Sequence, residues 1–140
     1  MPRYAELSEG LELPARRLDA LRQIDVVKYA GASGDFNQIH TVPEFAAQAG
    51  LPSTIAHGMM SMGFLGSYVA DWLGFEAELE KFGVRFAAMT FPGDELTLTG
   101  KVIKVYDGAG KKRADLELTV SKQDGTVTVR GWATAVWRNA

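Results

Sequence analysis

Asp35, Asn37 and His40 put a carboxylate, an amide and an imidazole into the short stretch SGDFNQIH, residues 33–40. On a turn, Asp35 and His40 can converge on one water and take its proton, which is general acid–base work, with Asn37 placed to fix their orientation. A second pair, His57-Gly58, opens a long apolar stretch. If that stretch is a helix, its free N-terminal N–H groups and positive end favour developing negative charge, and a carbonyl oxygen against the Gly58 N–H would be polarised as in an oxyanion hole. Each feature also has a plainer explanation. Asp and Asn are frequent turn formers, a loop histidine can be a structural hydrogen-bonding group, and His57-Gly58 can be only a helix start with a small residue for packing. The residues alone leave both explanations open.

Other chemistries are easier to set aside. Asp35, His40 and His57 could be metal ligands, but the chain has only two histidines and no close His-x-x-x-His spacing, so no metal is expected. The absence of cysteine excludes disulfides, thiolate nucleophiles and cysteine metal sites. No G-x-S-x-G elbow, phosphate loop or G-x-G-x-x-G is present, which disfavours serine hydrolase, nucleotide and dinucleotide chemistry. Net charge is −2 and the basic residues are scattered, apart from GKKR at 110–113, which reads as a solvated turn; no nucleic-acid partner is expected. The opening MPRYAELSEGLELP lacks an apolar core of signal-peptide length and no segment reaches bilayer length, so a cytoplasmic protein without membrane contact is expected.

The elements that must position these groups fall into two halves. The 140 residues, 46% apolar and 23% charged, suit one α+β domain, 1–140, with no linker or repeat. Residues 1 to about 80 read as mostly helix and loop, and 81–138 as strand. A short helix is expected from Asp25, as N-cap, to about Tyr29 or Ala30, and another from Pro43 to its stop at Gly50. The polar trio therefore lies on the loop between two short helices. HGMMSMGFLGSYVADWLG, residues 57–74, is apolar nearly all round and predicts a buried helix stopped by Gly74. Gly63 and Gly66 weaken that helix by roughly 1 kcal/mol each relative to alanine, which is tolerable where another backbone or a ligand must come close. Its methionines, Met59, Met60 and Met62, and the three tryptophans read as core.

In the second half KFGVRFAAM alternates, with Phe82, Val84, Phe86 and Ala88 on one face; FPGDE breaks it, and LTLTGKVIKVY, RADLELTVS and VTVRGWATAVW follow, the last two joined by an Asp-Gly hairpin signal. This predicts an antiparallel meander curled around the buried helix, with Gly100 and Gly131 marking bulges or close approaches.

YAGASGDFNQIH, followed by HG seventeen residues after His40 and then a glycine-punctuated apolar helix, resembles the MaoC-like hydratases. These are (R)-specific enoyl-thioester hydratases and 3-hydroxyacyl-thioester dehydratases of the hot-dog fold. Tyr29, Gly34-Asp35, Asn37 and His40 match the family's loop motif, FPGDEL is similar to family members, and Gln38 departs from the usual proline. AHGMMSMG and GSYVADWLG are similar to the short single-hot-dog dehydratase subunits of actinobacterial fatty-acid elongation. The resemblance implies that Asp35 and His40 activate water for addition to a trans-2-enoyl thioester, on CoA or an acyl-carrier protein, or catalyse the reverse dehydration. It implies that the Gly58 N–H binds the thioester oxygen, and that no metal or redox cofactor is needed. Gly63 and Gly66 are candidate positions for an acyl channel. A dimer with sheets joined edge to edge is expected, a homodimer or else a heterodimer. The alternatives are a non-catalytic acyl-binding subunit and a hot-dog thioesterase.

Overall fold

Alternating apolar residues build one five-stranded antiparallel sheet, and a long helix fills its concave face. The structure is a computed structural model and describes residues 1–138. Its strands are β1 (Glu12–Arg17), β2 (Ala77–Phe86), β3 (Thr97–Gly108), β4 (Lys111–Ser121) and β5 (Val127–Trp137), in the order β1-β3-β4-β5-β2. The helices are α1 (Gln23–Ser33), α2 (Pro43–Gln48) and α3 (Gly58–Leu73). This is the α+β hot-dog arrangement. No helix among the described residues is long and apolar enough to cross a membrane.

Leu65, Tyr68, Val69 and Leu73, spaced three and four apart, form the buried face of α3. They meet Leu98, Val102, Leu116, Leu118, Val120, Val129, Ala133 and Ala135 from the inner face of the sheet. The strand glycines accommodate this packing. A Cβ on Gly131 would lie 2.8 Å from Leu65 Cδ2, and one on Gly100 would lie 2.9 Å from Leu13 Cδ2. Both are close approaches by side chains.

Three expectations need correction. The first half is not only helix and loop: β1 pairs with β3 at the sheet margin, and β2 begins at Ala77. The strands are not one continuous meander either, because only β3, β4 and β5 are joined by hairpins while β2 pairs with β5. β2 and β3 are thus separated by two strands, a span of about 14 Å at the usual strand spacing, which the chain between them crosses easily. Finally, α1 starts two residues before Asp25. Arg22 is the N-cap and its backbone N–H donates to the Asp25 carboxylate at 3.0 Å; the helix then runs through Gly31 to Ser33.

Not all the large apolar residues are core. Met60 and Trp137 are buried, whereas Met59 and Trp132 are more than half exposed. Trp132 lies on the face of the sheet away from α3, over Gly83, where an added Cβ would collide with its ring.

Candidate active site

Local backbone chemistry puts the polar trio in place. Gly34 ends α1 in the left-handed region (φ 76°), with its N–H donating to the Ala30 carbonyl at 3.0 Å. The chain then turns sharply. The Asp35 N–H donates to Ser33 Oγ and the Asn37 N–H to Asp35 Oδ1, each at 3.2 Å. Asn37 Oδ1 in turn accepts from the Ile39 N–H and caps the short 3-10 turn Gln38–His40. Asn37 thus orients the Asp35 carboxylate through its backbone, while its side chain holds the turn that carries His40.

His40 is buried, and Asp35 beside it is exposed. Nδ1 of His40 lies 2.7 Å from the Ile55 carbonyl, which can only accept, so Nδ1 carries the proton. In the neutral ring Nε2 then has the free lone pair, and Nε2 lies 3.8 Å from Asp35 Oδ2. That separation is too long for a direct hydrogen bond, but a water about 2.8 Å from each would bridge them. The backbone around His40 is fixed as well: its carbonyl accepts from Gln23 Nε2 at 2.8 Å, and the Ile55 N–H donates to the Ile39 carbonyl.

His57 is the N-cap of α3 and is buried. Its ring stacks on His40 with centroids 3.7 Å apart and planes 22° from parallel, and Nε2 lies 3.0 Å from the Asp35 carbonyl. Asp35, His40 and His57 offer ligand atoms within 4.8 Å of one another. Stacked rings, however, hold their lone pairs in nearly parallel planes, whereas a shared zinc ion requires them to converge. The arrangement suits proton transfer better than metal binding.

Gly58, as the first residue of α3, has no intrahelical acceptor for its N–H. It lines a cleft of about 460 Å³ together with Ile55, His57, Phe86, Met89 and Thr90. The wall formed by residues 87–90 is anchored through Asp94, which accepts from the Phe91 N–H at 2.8 Å, Lys122 Nζ at 3.0 Å and Gln123 Nε2 at 3.1 Å. Thr90 in turn accepts the Ala56 N–H at 2.8 Å, immediately before His57. FPGDE therefore braces the cleft as well as turning the chain.

Gly63 and Gly66 do not line this cleft. Gly66 faces Phe82, whose ring would sit 3.2 Å from an added Cβ, and Gly63 has nothing within 4 Å. Gly58 faces Phe86 in the same way, at 3.1 Å. The two rings of β2 thus rest on two glycines of α3, so Gly58 also has a packing role. Gln23 and Ile55, which hold His40 from distant positions, left no signal in the sequence that would have identified them.

Comparison with known proteins agrees with this architecture. The R-hydratase PhaJ1 from Pseudomonas aeruginosa superposes with a TM-score of 0.86 at 25% identity, over 99% of this chain and 86% of that one. Enoyl-CoA hydratase ChsH3 of Mycobacterium tuberculosis is 39% identical over 67 residues, which is 46% of this chain and 23% of the relative. The 3-hydroxyacyl-thioester dehydratase Y of the same organism is 31% identical over 123 residues, or 81% of this chain and 42% of the relative. The chain therefore spans less than half the length of either curated relative. The model of the MaoC like domain family matches residues 7–124, and with the hot-dog sheet and its central helix in place, the chain belongs to that family.

Proposed function

We propose that the protein reversibly hydrates trans-2-enoyl thioesters to (R)-3-hydroxyacyl thioesters. The observation that carries this reading is the Asp35–His40 pair, whose Oδ2 and Nε2 lie 3.8 Å apart, with His40 Nδ1 tied to Ile55. A water held by both gives up one proton as its oxygen bonds to the β-carbon, and the pair returns one proton to the α-carbon. The dehydration direction is the same path reversed. As the water adds, charge develops on the thioester oxygen, and the free Gly58 N–H at the positive end of α3 is placed to receive it. The thioester stabilises the carbanion itself, so neither a metal nor a redox cofactor enters the scheme.

The names of the relatives support this substrate class, since they include an enoyl-CoA hydratase and a 3-hydroxyacyl-thioester dehydratase. The carrier is CoA or an acyl-carrier protein. The fold also favours a dimer formed through β2. Glu78, Glu80, Lys81 and a register shift between Leu79 and Lys81 blunt the first half of that strand, but Phe82–Phe86 run regularly along an open sheet edge. Incubation with crotonyl-CoA tests the reaction. Loss of enoyl absorbance is expected; release of free thiol would indicate a thioesterase, and no change a non-catalytic acyl-binding subunit.

A further inference from the structure

We propose that His57 is a positioning residue that holds both members of the Asp35–His40 pair. The inference rests on the hydratase reading and adds a third side chain to it. Two contacts carry it. Nε2 of His57 lies 3.0 Å from the Asp35 carbonyl, so Nε2 donates and fixes the backbone that bears the carboxylate. The flat face of the same ring lies against His40 at 3.7 Å, which fixes the plane in which His40 Nε2 points. One side chain therefore sets the backbone of one partner and the ring orientation of the other.

A third observation separates this role from ordinary packing. His57 is 2% exposed, and its Nδ1 is a buried polar atom with no hydrogen-bond partner among the described residues. Such an orphan is unfavourable, and a helix start that needed only bulk would avoid it with a phenylalanine or leucine. An imidazole is needed here for the combination of a flat ring and an N–H on one edge. Tyr29, 4.8 Å away and tilted by 58°, packs against the ring and keeps it in place. The ionisable groups facing His57 are Asp35, His40 and Tyr29.

Misplacing a proton-transfer pair by about 1 Å can cost about 10²-fold in rate without loss of binding. His57→Phe keeps a ring against His40 but loses the donor to Asp35, and His57→Gln keeps a donor but loses the ring. Each is expected to lower kcat about 10- to 10²-fold, with KM for crotonyl-CoA changing less than about threefold. Nitrogen-15 NMR of the histidines provides an independent measurement. The wild-type chain should show His57 protonated on Nε2 and His40 on Nδ1; in His57→Gln, His40 should stay protonated on Nδ1 through Ile55 while its ring signals broaden as the ring loses its fixed plane. Wild-type kcat in either folded variant, or an unchanged His40 signal in His57→Gln, would overturn the role. If both variants fail to fold, the wild-type spectrum decides, because a His57 protonated on Nδ1 would overturn it. An inactive wild-type chain would overturn the hydratase reading alone, since the His40 signal still supports or overturns the role of His57.

Discussion

Nδ1 of His40 lies 2.7 Å from the carbonyl of Ile55, and this one contact turns the opposite nitrogen, Nε2, toward the Asp35 carboxylate. Residues fifteen apart in sequence thus set the tautomer on which the proposed proton transfer depends.

Gly58 is the residue whose interpretation the structure changes most, because its missing side chain makes room for the Phe86 ring. Gly58→Val is expected to lower kcat by about 10²-fold by crowding the thioester oxygen at the helix start. Phe86→Leu in the same chain relieves the ring contact and should not restore the rate. Steady-state kinetics of the single and double variants checks this, and recovery to wild-type kcat would assign Gly58 to packing alone.

Gly63 has open space around it and ordinary helical backbone. Gly63→Ala should therefore stabilise the protein by about 0.5–1 kcal/mol in urea unfolding, through helix propensity and a less flexible unfolded chain. Its preference among enoyl chain lengths should not change. A shift toward shorter chains would restore Gly63 to an acyl channel.

Asp94 makes the brace behind the cleft sensitive to acid. Burial pushes its carboxyl group up, but the Phe91 N–H, Lys122 and Gln123 outweigh this and leave it below its ordinary value of 3.8. A carboxyl lowered in the folded state contributes stability above its unfolded value, and that contribution is lost as pH falls through the folded value. Asp94→Asn should therefore cost about 1–3 kcal/mol near neutrality, and the gap to wild type should close below about pH 4. Thermal melts from pH 7 to 2.5 check the sign; a gap that widened in acid would contradict it.

The free half of the β2 edge predicts that the pure chain sediments at twice its 15.2 kDa mass. A fully active monomer in sedimentation equilibrium would refute this. An inactive monomer would point to a missing partner subunit.

The parts of the fold legible in the sequence are those with strong local patterns. The period-2 runs located β3, β4 and β5, and the glycine-bounded apolar stretch located α3 almost to the residue. β1 was missed because ELPARR contains a proline and has little alternation, and its place is decided by pairing with β3. The partnership of β2 with β5 was missed for a related reason: strand pairing is a long-range choice, and a turn signal such as Pro92-Gly93 does not show where the chain goes next. At the site, the types and spacing of Asp35 and His40 raised a shared water as one reading beside plain turn structure. The hold that Gln23, Ile55 and His57 exert on them comes from two other segments, the start of α1 and the stretch leading into α3, which only the folded chain brings together.

The most direct test of the proposed reaction is the hydration of crotonyl-CoA by Asp35→Asn, His40→Ala and the double variant, with melting temperature as the control. Asp35→Asn keeps the shape and hydrogen bonding of the side chain but removes its capacity to take a proton, and His40→Ala removes the other half of the pair. Each should lower kcat by about 10²- to 10⁴-fold, and the double variant should be little worse than the poorer single one, because both groups serve one water. Melting temperatures should remain within a few degrees of wild type. Folded variants that turn over at the wild-type rate would contradict the proposal and return Asp35 and His40 to the role of loop structure.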